Sequence, residues 1–482
     1  MKYHRYHINT KNTPLEDLLI FKTVVNRSEI CINCGICQTA CPYDVHERNA
    51  NFRAVGVHEQ EAGIATKGWS WFDMPKMASP KNANCTTCFH CVNECPVGAL
   101  SLSSNPDYKT HGDDYYTPGT IETVLFESKT GRVPVSGAGY RGPFAGEGFD
   151  GIWTDMSEIV RPTRDGIHGR ESISTAVMIG RKPKKILPGS SQNAAAAVEL
   201  GLPLVFNEPP AFAARDKNLS QSLLRAAEDI QTLALLDADD AQEKSSPHAV
   251  ACFKNSSLSW KGPEAPKICQ IDLSAQKMND WPACWEKTKA TWPQTMVMVK
   301  IALENAAIPQ IVRLAEMGAE IFHLSASPRA KTTDGLHLTQ ALRTADEALI
   351  EAGLRDEVTL VASGGLTAAE HLAKSILCGA DVIAIDVAYL IALGVTRFKT
   401  DGAGIEIEGP AIFPAPHIAV QRLKNLAGSW RDQLLEILGA MGMRDVQRMT
   451  GDTGRMMLNE ELEKEFKALF KPMRKQDDPN YG

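Results

Sequence analysis

The sequence predicts an α/β chain, a (β/α)8 TIM barrel preceded by a small α+β domain. Two observations lead there. From Lys185 onward, short apolar runs alternate with amphipathic helical stretches, and an alternation sustained over roughly 230 residues fits a barrel best. Ahead of it, one cysteine spacing is written twice within the first hundred residues. At 482 residues the chain is long for one domain, and length alone suggests about two or three.

The cysteines define the N-terminal domain, residues 1–105. Eight of the 12 fall in two matching runs, Cys31-Ile-Asn-Cys34-Gly-Ile-Cys37-Gln-Thr-Ala-Cys41-Pro42 and Cys85-Thr-Thr-Cys88-Phe-His-Cys91-Val-Asn-Glu-Cys95-Pro96. Each reads C-x2-C-x2-C-x3-C-P, the bacterial ferredoxin spacing for a [4Fe–4S] cluster. Three closely spaced thiolates wrap one cluster, while the fourth, before proline, points away to the other. Cys31, Cys34, Cys37 and Cys95 are thus expected on one cluster, and Cys85, Cys88, Cys91 and Cys41 on the second. Zinc favours two separated C-x2-C pairs, and disulfides do not suit a cytosolic chain. The insert between the motifs carries Trp69, Trp71 and Phe72, which suit either core packing or a cover over a cluster. Cys252, Cys269, Cys284 and Cys378 lack ligand spacing and read as inert thiols.

Charge and hydropathy narrow the setting. A formal charge of -7 gives no reason to expect nucleic acid. The start, Met1-Lys-Tyr-His-Arg-Tyr-His7, has no signal-peptide core. The longest apolar stretch, Val382 to Val395, is broken by Asp386 and is too short to cross a bilayer. A cytoplasmic protein without a transmembrane segment is expected, one that a larger redox complex could recruit.

Residues 106–184 read as a linker lying along a surface, being rich in Gly, Pro, Ser and Tyr. Within them Thr120 to Glu127 could form a short strand or helix. The polar stretch Asp155 to Glu171 suits a solvated loop or an ion-paired joint equally. The barrel is placed at 185–422. Its strands are read at Pro203–Phe206, Met296–Ile301, Glu320–Leu324, Val358–Ala362 and Asp381–Ile385. Helices are read at Ser220–Leu236, Ile308–Met317, Leu336–Ala352, Ala368–Cys378 and from Tyr389. Residues 423–482 follow as a helical cap, periodic from Asn425 to Phe470, with a polar tail.

Active sites of such barrels lie at the C-terminal ends of the strands. Lys300 closes an otherwise apolar strand, where a cation is costly unless it faces a pocket or a counter-charge. Ser363-Gly364-Gly365 follows the next-to-last strand, and amides of such a turn can cradle a phosphate. Asp386 follows the last strand, where a smaller residue would serve a phosphate better. A phosphate site on a barrel attached to iron–sulfur clusters suggests FMN.

The stretch from about 150 to 455 resembles the FMN-binding synthase domain of glutamate synthases, above all the archaeal-type short forms that carry a ferredoxin domain. The likeness rests on Val299-Lys300-Ile301, Gly318-Ala319-Glu320-Ile321, Ser363-Gly364-Gly365-Leu366-Thr367, Gly379-Ala380-Asp381-Val382, Ala388-Tyr389-Leu390-Ile391-Ala392-Leu393-Gly394, and Leu434 to Met443. It implies a flavin that exchanges electrons with the clusters. It places Lys300 in the flavin and substrate pocket, as the catalytic candidate, and Gly364 and Gly365 on the FMN phosphate, with Ser363 beside them. The sequence departs from the family at several points. No glutaminase domain is recognised, so release of ammonia from glutamine is not expected of this chain. No Cys follows Cys378, so the family's three-cysteine loop is missing. The substrate loop reads Ser325-Ala-Ser-Pro-Arg329-Ala-Lys331-Thr-Thr-Asp334-Gly335, Ser363 stands where Asp is usual, and the flavin loop is reduced to Pro188-Gly-Ser-Ser-Gln-Asn193.

Two functions follow as expectations. In one, the chain is an iron–sulfur flavoprotein oxidoreductase acting on a small molecule or on a redox protein partner, with Arg329 and Lys331 as anion clamps. In the other, it is an electron-transfer or scaffold subunit of a larger complex whose barrel has lost its chemistry.

Overall fold

A computed structural model of the chain describes residues 7–14, 20–48, 77–134, 146, 148–154, 173–180, 197–214, 216–244, 246–254, 258, 260, 265–274, 276–402, 404–458 and 464. Trp69, Trp71, Phe72, Asp155 to Glu171 and Pro188 to Asn193 lie outside them. The chain divides into two compact units, Leu15–His111, and Met1–Pro14 with Gly112–Gly482.

The smaller unit is built around the thiols. Strands Thr23–Arg27 and Leu100–Ser104 pair antiparallel, with Val25 opposite Leu102. Short helices Ile36–Ala40 and His90–Asn93 each carry the third cysteine of a motif. Val25, Val45, Met77 and Leu100 pack with Cys37 and Cys91 in one core, against which Cys31, Cys41, Cys85 and Cys95 lean. The two motifs adopt the same backbone. Asn33 and Thr87 precede the second cysteine with φ of 54° and 61°, while Gly35 and Phe89 follow it with φ of 80° and 62°. Left-handed conformation is costly for a β-branched or bulky residue, so Thr87 and Phe89 hold strain at a functional loop.

The larger unit is the barrel. Eight strands, Leu204–Phe206, Ala234–Asp237, Ala249–Lys254, Ile268–Asp272, Met296–Ala302, Ile321–Ser325, Thr359–Ser363 and Val382–Ile385, are parallel and close in sequence order. The first, fifth, sixth, seventh and eighth occur where the apolar runs predict them. The apolar runs do not predict the second, third and fourth. The predicted helix Ser220–Leu236 stops at Ile230, because Gln231 turns left-handed with φ of 56°. Leu233 to Leu236 then enter the sheet, a short apolar run that periodicity cannot assign to helix or strand.

Thr359, at the start of the seventh strand, exchanges hydrogen bonds with Gly180 at 3.2 and 3.1 Å. The hairpin Val177–Gly180 with Ala197–Leu200 therefore closes the N-terminal end of the barrel. The segment read as a surface linker contains the helix Pro118–Thr130, capped by the Thr117 hydroxyl and ended by Gly131. Its inner face is buried: Glu127 accepts from Trp430 Nε1 at 2.9 Å, and Asn425 donates to the Ser128 carbonyl at 2.9 Å. Trp430 and Asn425 belong to the helix Pro416–Ala440. The helical reading beyond that point is corrected: the chain continues as 3-10 turns and a strand, Met456–Leu458, paired with Ile152–Thr154. Gly442, with φ of 72°, ends the helical path.

Arg355 locks the base of the last two strands. It pairs with Asp346 and, at 3.0 Å, with Asp381, and it donates to the Gly379 carbonyl at 2.8 Å. Asp381 also accepts from Leu360 N–H at 2.8 Å. Burial pushes the Asp346 carboxyl up against the pull of Arg355. Removing one partner of a buried ion pair costs about 3–5 kcal/mol. Arg355→Met is expected to lower the urea midpoint of the barrel transition accordingly, and an unchanged midpoint would show that the triad holds nothing.

Candidate functional site

The cysteine motifs surround two separate spaces. Cys31, Cys34, Cys37 and Cys95 line one, together with Arg27, Met77 and Leu100. Cys41, Cys85, Cys88 and Cys91 line the other, with Tyr43, His46 and Phe89. The last cysteine of each motif thus stands with the other motif's first three, as the spacing predicts. Among the described residues no three His, Cys, Asp or Glu converge as a single metal ion would require. The sulfurs instead stand around a space.

Burial pushes the Cys91 thiol up to about 11, with repulsion from Cys41, Cys85 and Cys88 adding to it. Burial raises Cys37 too, against the pull of Arg27. Four thiolates in one buried site therefore need a positive core among them. Ala99 N–H donates to Cys95 Sγ at 3.2 Å, and such bonds help set a cluster's potential. Arg27 bridges toward both spaces, donating to the Ala78 carbonyl and lying 3.0 Å from His46 Nδ1.

The barrel mouth holds the second site. Register places Lys254, Asp272 and Lys300 side by side on the third, fourth and fifth strands. Lys300 Nζ lies 3.1 Å from Asp272, and Lys254 Nζ lies 2.9 Å from Glu208, which follows the first strand. These four, with Asn207, Pro210 and their neighbours, line a cavity of about 860 Å3, part of it open to solvent. Burial opposes the charge on Lys300, but Asp272 and, more distantly, Glu208 raise its pKa above the usual lysine range. Burial likewise opposes the Asp272 carboxylate, and Lys300 with donors from Ser274 brings it below the usual range.

Behind the mouth, a polar chain crosses the barrel interior. The Ser363 hydroxyl lies 2.8 Å from His323 Nε2, and His323 Nδ1 lies 2.6 Å from Gln270 Oε1. Gln270 donates onward to Cys252 Sγ at 3.4 Å. Burial first, then the charge of Lys300, lowers His323 to about 3, so the ring is neutral. With Gln270 Oε1 only able to accept, Nδ1 carries the proton and Nε2 accepts from Ser363.

Ser363 opens the turn at Gly364 and Gly365, whose φ of 106° and 70° suit glycine. A Cβ on Gly364 would strike the Ala326 carbonyl at 2.5 Å, and one on Gly365 the Tyr115 hydroxyl at 2.6 Å. Among the described residues the amides of Gly364 and Gly365 meet no acceptor. The turn is outside the lining of the Lys300 cavity. Arg329, read as an anion clamp, is engaged instead with Asp113 at 3.4 Å, Asp114 at 2.5 Å and the Thr400 carbonyl at 3.0 Å. Cys252, Cys269 and Cys378 are buried with raised pKa values, as inert thiols should be, while Cys284 is half-buried.

Glu208, Lys254, Asp272 and His323 were not singled out by sequence reasoning. His323, inside Ile-Phe-His-Leu, was the one available signal. The others need strand register to be brought together.

The Lys300–Asp272 pair carries a pH signature. A carboxyl depressed in the fold adds stability above its unfolded value of about 3.9, which is lost as pH falls through the folded value. Lys300→Met removes the ion pair and leaves only the Ser274 donors against burial, so less of this stability remains. The gap in melting temperature between the native chain and the variant is then expected to be full above about pH 4 and to narrow as pH falls below it. A gap that does not change with pH would contradict the pairing.

Comparison with known proteins finds a match in each unit. Residues 30–100 match the 4Fe-4S dicluster domain and residues 278–444 the conserved region in glutamate synthase. An archaeal-type glutamate synthase (NADPH) of Dehalococcoides mccartyi is 24% identical over 91% of this chain and 95% of its own. An archaeal glutamate synthase (NADPH) of Archaeoglobus fulgidus is 22% identical over 89% and 92%. Among solved structures, a flavocytochrome b2 mutant with pyruvate bound covers 72% of this chain and 80% of its own, at 10% identity and a TM-score of 0.41. Nothing about ligands is carried over from a likeness that slight. The chain joins a 4Fe–4S dicluster domain to a glutamate synthase-like barrel.

Proposed function

We propose that the chain is an iron–sulfur flavoprotein oxidoreductase, with two [4Fe–4S] clusters in the smaller unit and FMN at the barrel mouth. The observation that carries it is the pair of spaces, each lined by three cysteines of one motif and the last cysteine of the other. Cys31, Cys34, Cys37 and Cys95 hold one cluster; Cys85, Cys88, Cys91 and Cys41 hold the other. Clusters move single electrons, so a cytoplasmic redox protein partner is expected at this unit.

The barrel residues fit a flavin in two respects. The buried amides of Gly364 and Gly365 point at no acceptor of the described chain, as a phosphate cradle requires. Lys300 keeps its proton at the mouth, where a cation stabilises negative charge. Bound FMN supplies the two-electron step that the clusters lack. Lys300 is the catalytic candidate, its Nζ aimed by Asp272. Ser363, fixed by His323, positions the turn. One observation favours a second reading, an electron-transfer subunit without flavin. Asp386 follows the eighth strand, the neighbour of the strand that ends at the turn; burial raises its carboxyl, and it accepts from Val387 N–H at 2.6 Å.

Anaerobically purified chain should show cluster absorbance and release FMN on acid treatment. Cluster absorbance without flavin would sink the first reading in favour of the second. Lys300→Ala should keep the clusters and the flavin but lower the rate of flavin reduction by roughly 100-fold, the scale for loss of one electrostatic contact. An unchanged rate would remove Lys300 from the chemistry. Cys41→Ala should lose the cluster held by Cys85, Cys88 and Cys91, halving the iron while the first cluster's electron paramagnetic resonance signal stays. Loss of the first cluster's signal instead would mean that each motif keeps its own fourth cysteine.

A further inference from the structure

The cysteine unit holds a cation with no counter-charge. Arg27, half-buried at the end of the strand Thr23–Arg27, pairs with no carboxylate among the described residues. Its guanidinium is nonetheless fixed in place: Nη1 donates to the Ala78 carbonyl, and Nη2 lies 3.0 Å from His46 Nδ1. Its Nε–H is buried and meets no acceptor among the described residues. Arg27 lines the space ringed by Cys31, Cys34, Cys37 and Cys95. A cation withdrawn from water is costly unless something negative faces it, and a buried donor left without a partner costs its full desolvation.

His46 continues the line to the other space. It is 3% exposed and lines the space ringed by Cys41, Cys85, Cys88 and Cys91. Arginine nitrogens only donate, so His46 Nδ1 accepts from Arg27, and the neutral ring carries its one proton on Nε2. That Nε2–H is likewise buried with no acceptor among the described residues. Each space is thus lined by a residue with an unused N–H, and the two residues are hydrogen-bonded to each other.

We propose that Arg27 and His46 form one hydrogen-bonded bridge between the two [4Fe–4S] clusters, Arg27 Nε–H donating to sulfur of the first and His46 Nε2–H to sulfur of the second, and that this bridge tunes both reduction potentials. It rests on the reading of the two spaces as cluster sites, and adds to that reading the groups of the chain that set how readily each cluster takes an electron. A cubane ringed by thiolates carries net negative charge, and reduction adds more. An N–H or a guanidinium aimed at its sulfur therefore favours the reduced form. Arg27 acts on the first cluster directly. It acts on the second through His46, whose proton it holds at Nε2.

The test is an anaerobic redox titration of the full-length, cluster-loaded chain, followed by electron paramagnetic resonance, with iron measured in the same samples. The Cys41→Ala chain, which keeps the first cluster alone, identifies that cluster's step. Arg27→Gln should make the first cluster about ten-fold harder to reduce, a shift of about 59 mV for one electron, and should move the second in the same direction. Arg27→Lys, keeping the charge, should shift the first cluster by less. His46→Phe should make the second cluster about ten-fold harder to reduce and leave the first near its native value. Either Arg27→Gln or His46→Phe with full iron and both native potentials would overturn the proposal. If a variant loads too little iron, crystals of the native cluster-loaded chain decide. Both nitrogens within hydrogen-bond distance of a sulfur support the bridge, and either one on a water or a carbonyl instead overturns it. A native chain without two cubane signals would remove the cluster reading itself, whereas full iron with unmoved potentials removes the bridge alone.

Discussion

Packing eight thiols into a unit of fewer than a hundred residues is the constraint on which the smaller domain depends. Its apolar core is slight, with Val25, Val45, Met77 and Leu100 as the main aliphatic members, and the cysteines fill the rest. Buried thiols resist ionisation, and neighbouring thiolates resist it further, as the raised Cys37 and Cys91 values show. Iron in the two spaces reverses that balance, because metal binding to a site absent from the unfolded chain is folding free energy. Exchange of Cys41 and Cys95 between the spaces ties the two motifs to each other. The repeated left-handed residues, Asn33 with Thr87 and Gly35 with Phe89, are the backbone cost of wrapping each loop around its space.

The barrel solves a related problem with ordinary ion pairs. Lys300 sits on a strand whose other members are apolar and buried. A charge there requires a partner, and register supplies Asp272 on one side. On the other side, His323 stays neutral and turns its one ring proton toward Gln270, while accepting from Ser363. The hydrogen bonds from Gln270 through His323 to Ser363 thereby run beside the cation's strand and reach the residue that opens the glycine turn. The mouth is neutral in its lining and dipolar in detail.

Much of this was legible in the sequence, for local reasons. Cysteine spacing is a rule about nearest neighbours, and it anticipates the grouping of Cys95 and Cys41 with the other motif's first three cysteines. Lys300 stood out because a cation in Met-Val-Met-Val-Lys-Ile is a local anomaly. The missed strands had no such contrast: Ala249–Lys254 holds one β-branched residue, and Gln270 puts a polar side chain in the middle of Ile268–Asp272. Without those strands, Lys254 and Asp272 could not be set beside Lys300. Arg329 looked available because its partners, Asp113 and Asp114, lie more than 200 residues earlier. The helix Pro118–Thr130 was obscured by the Gly- and Pro-rich stretches on either side, although Thr117-Pro118 is itself a helix start.

The exchange of cysteines between two clusters is the central claim, since the electron-transfer role depends on it. An iron anomalous-difference map from anaerobically grown crystals tests it most directly. The account predicts two groups of four iron atoms, one contacted by Cys95 Sγ beside Cys31, Cys34 and Cys37, the other by Cys41 Sγ beside Cys85, Cys88 and Cys91. A single iron or zinc in either space, or a group whose four sulfurs come from one motif, would contradict it.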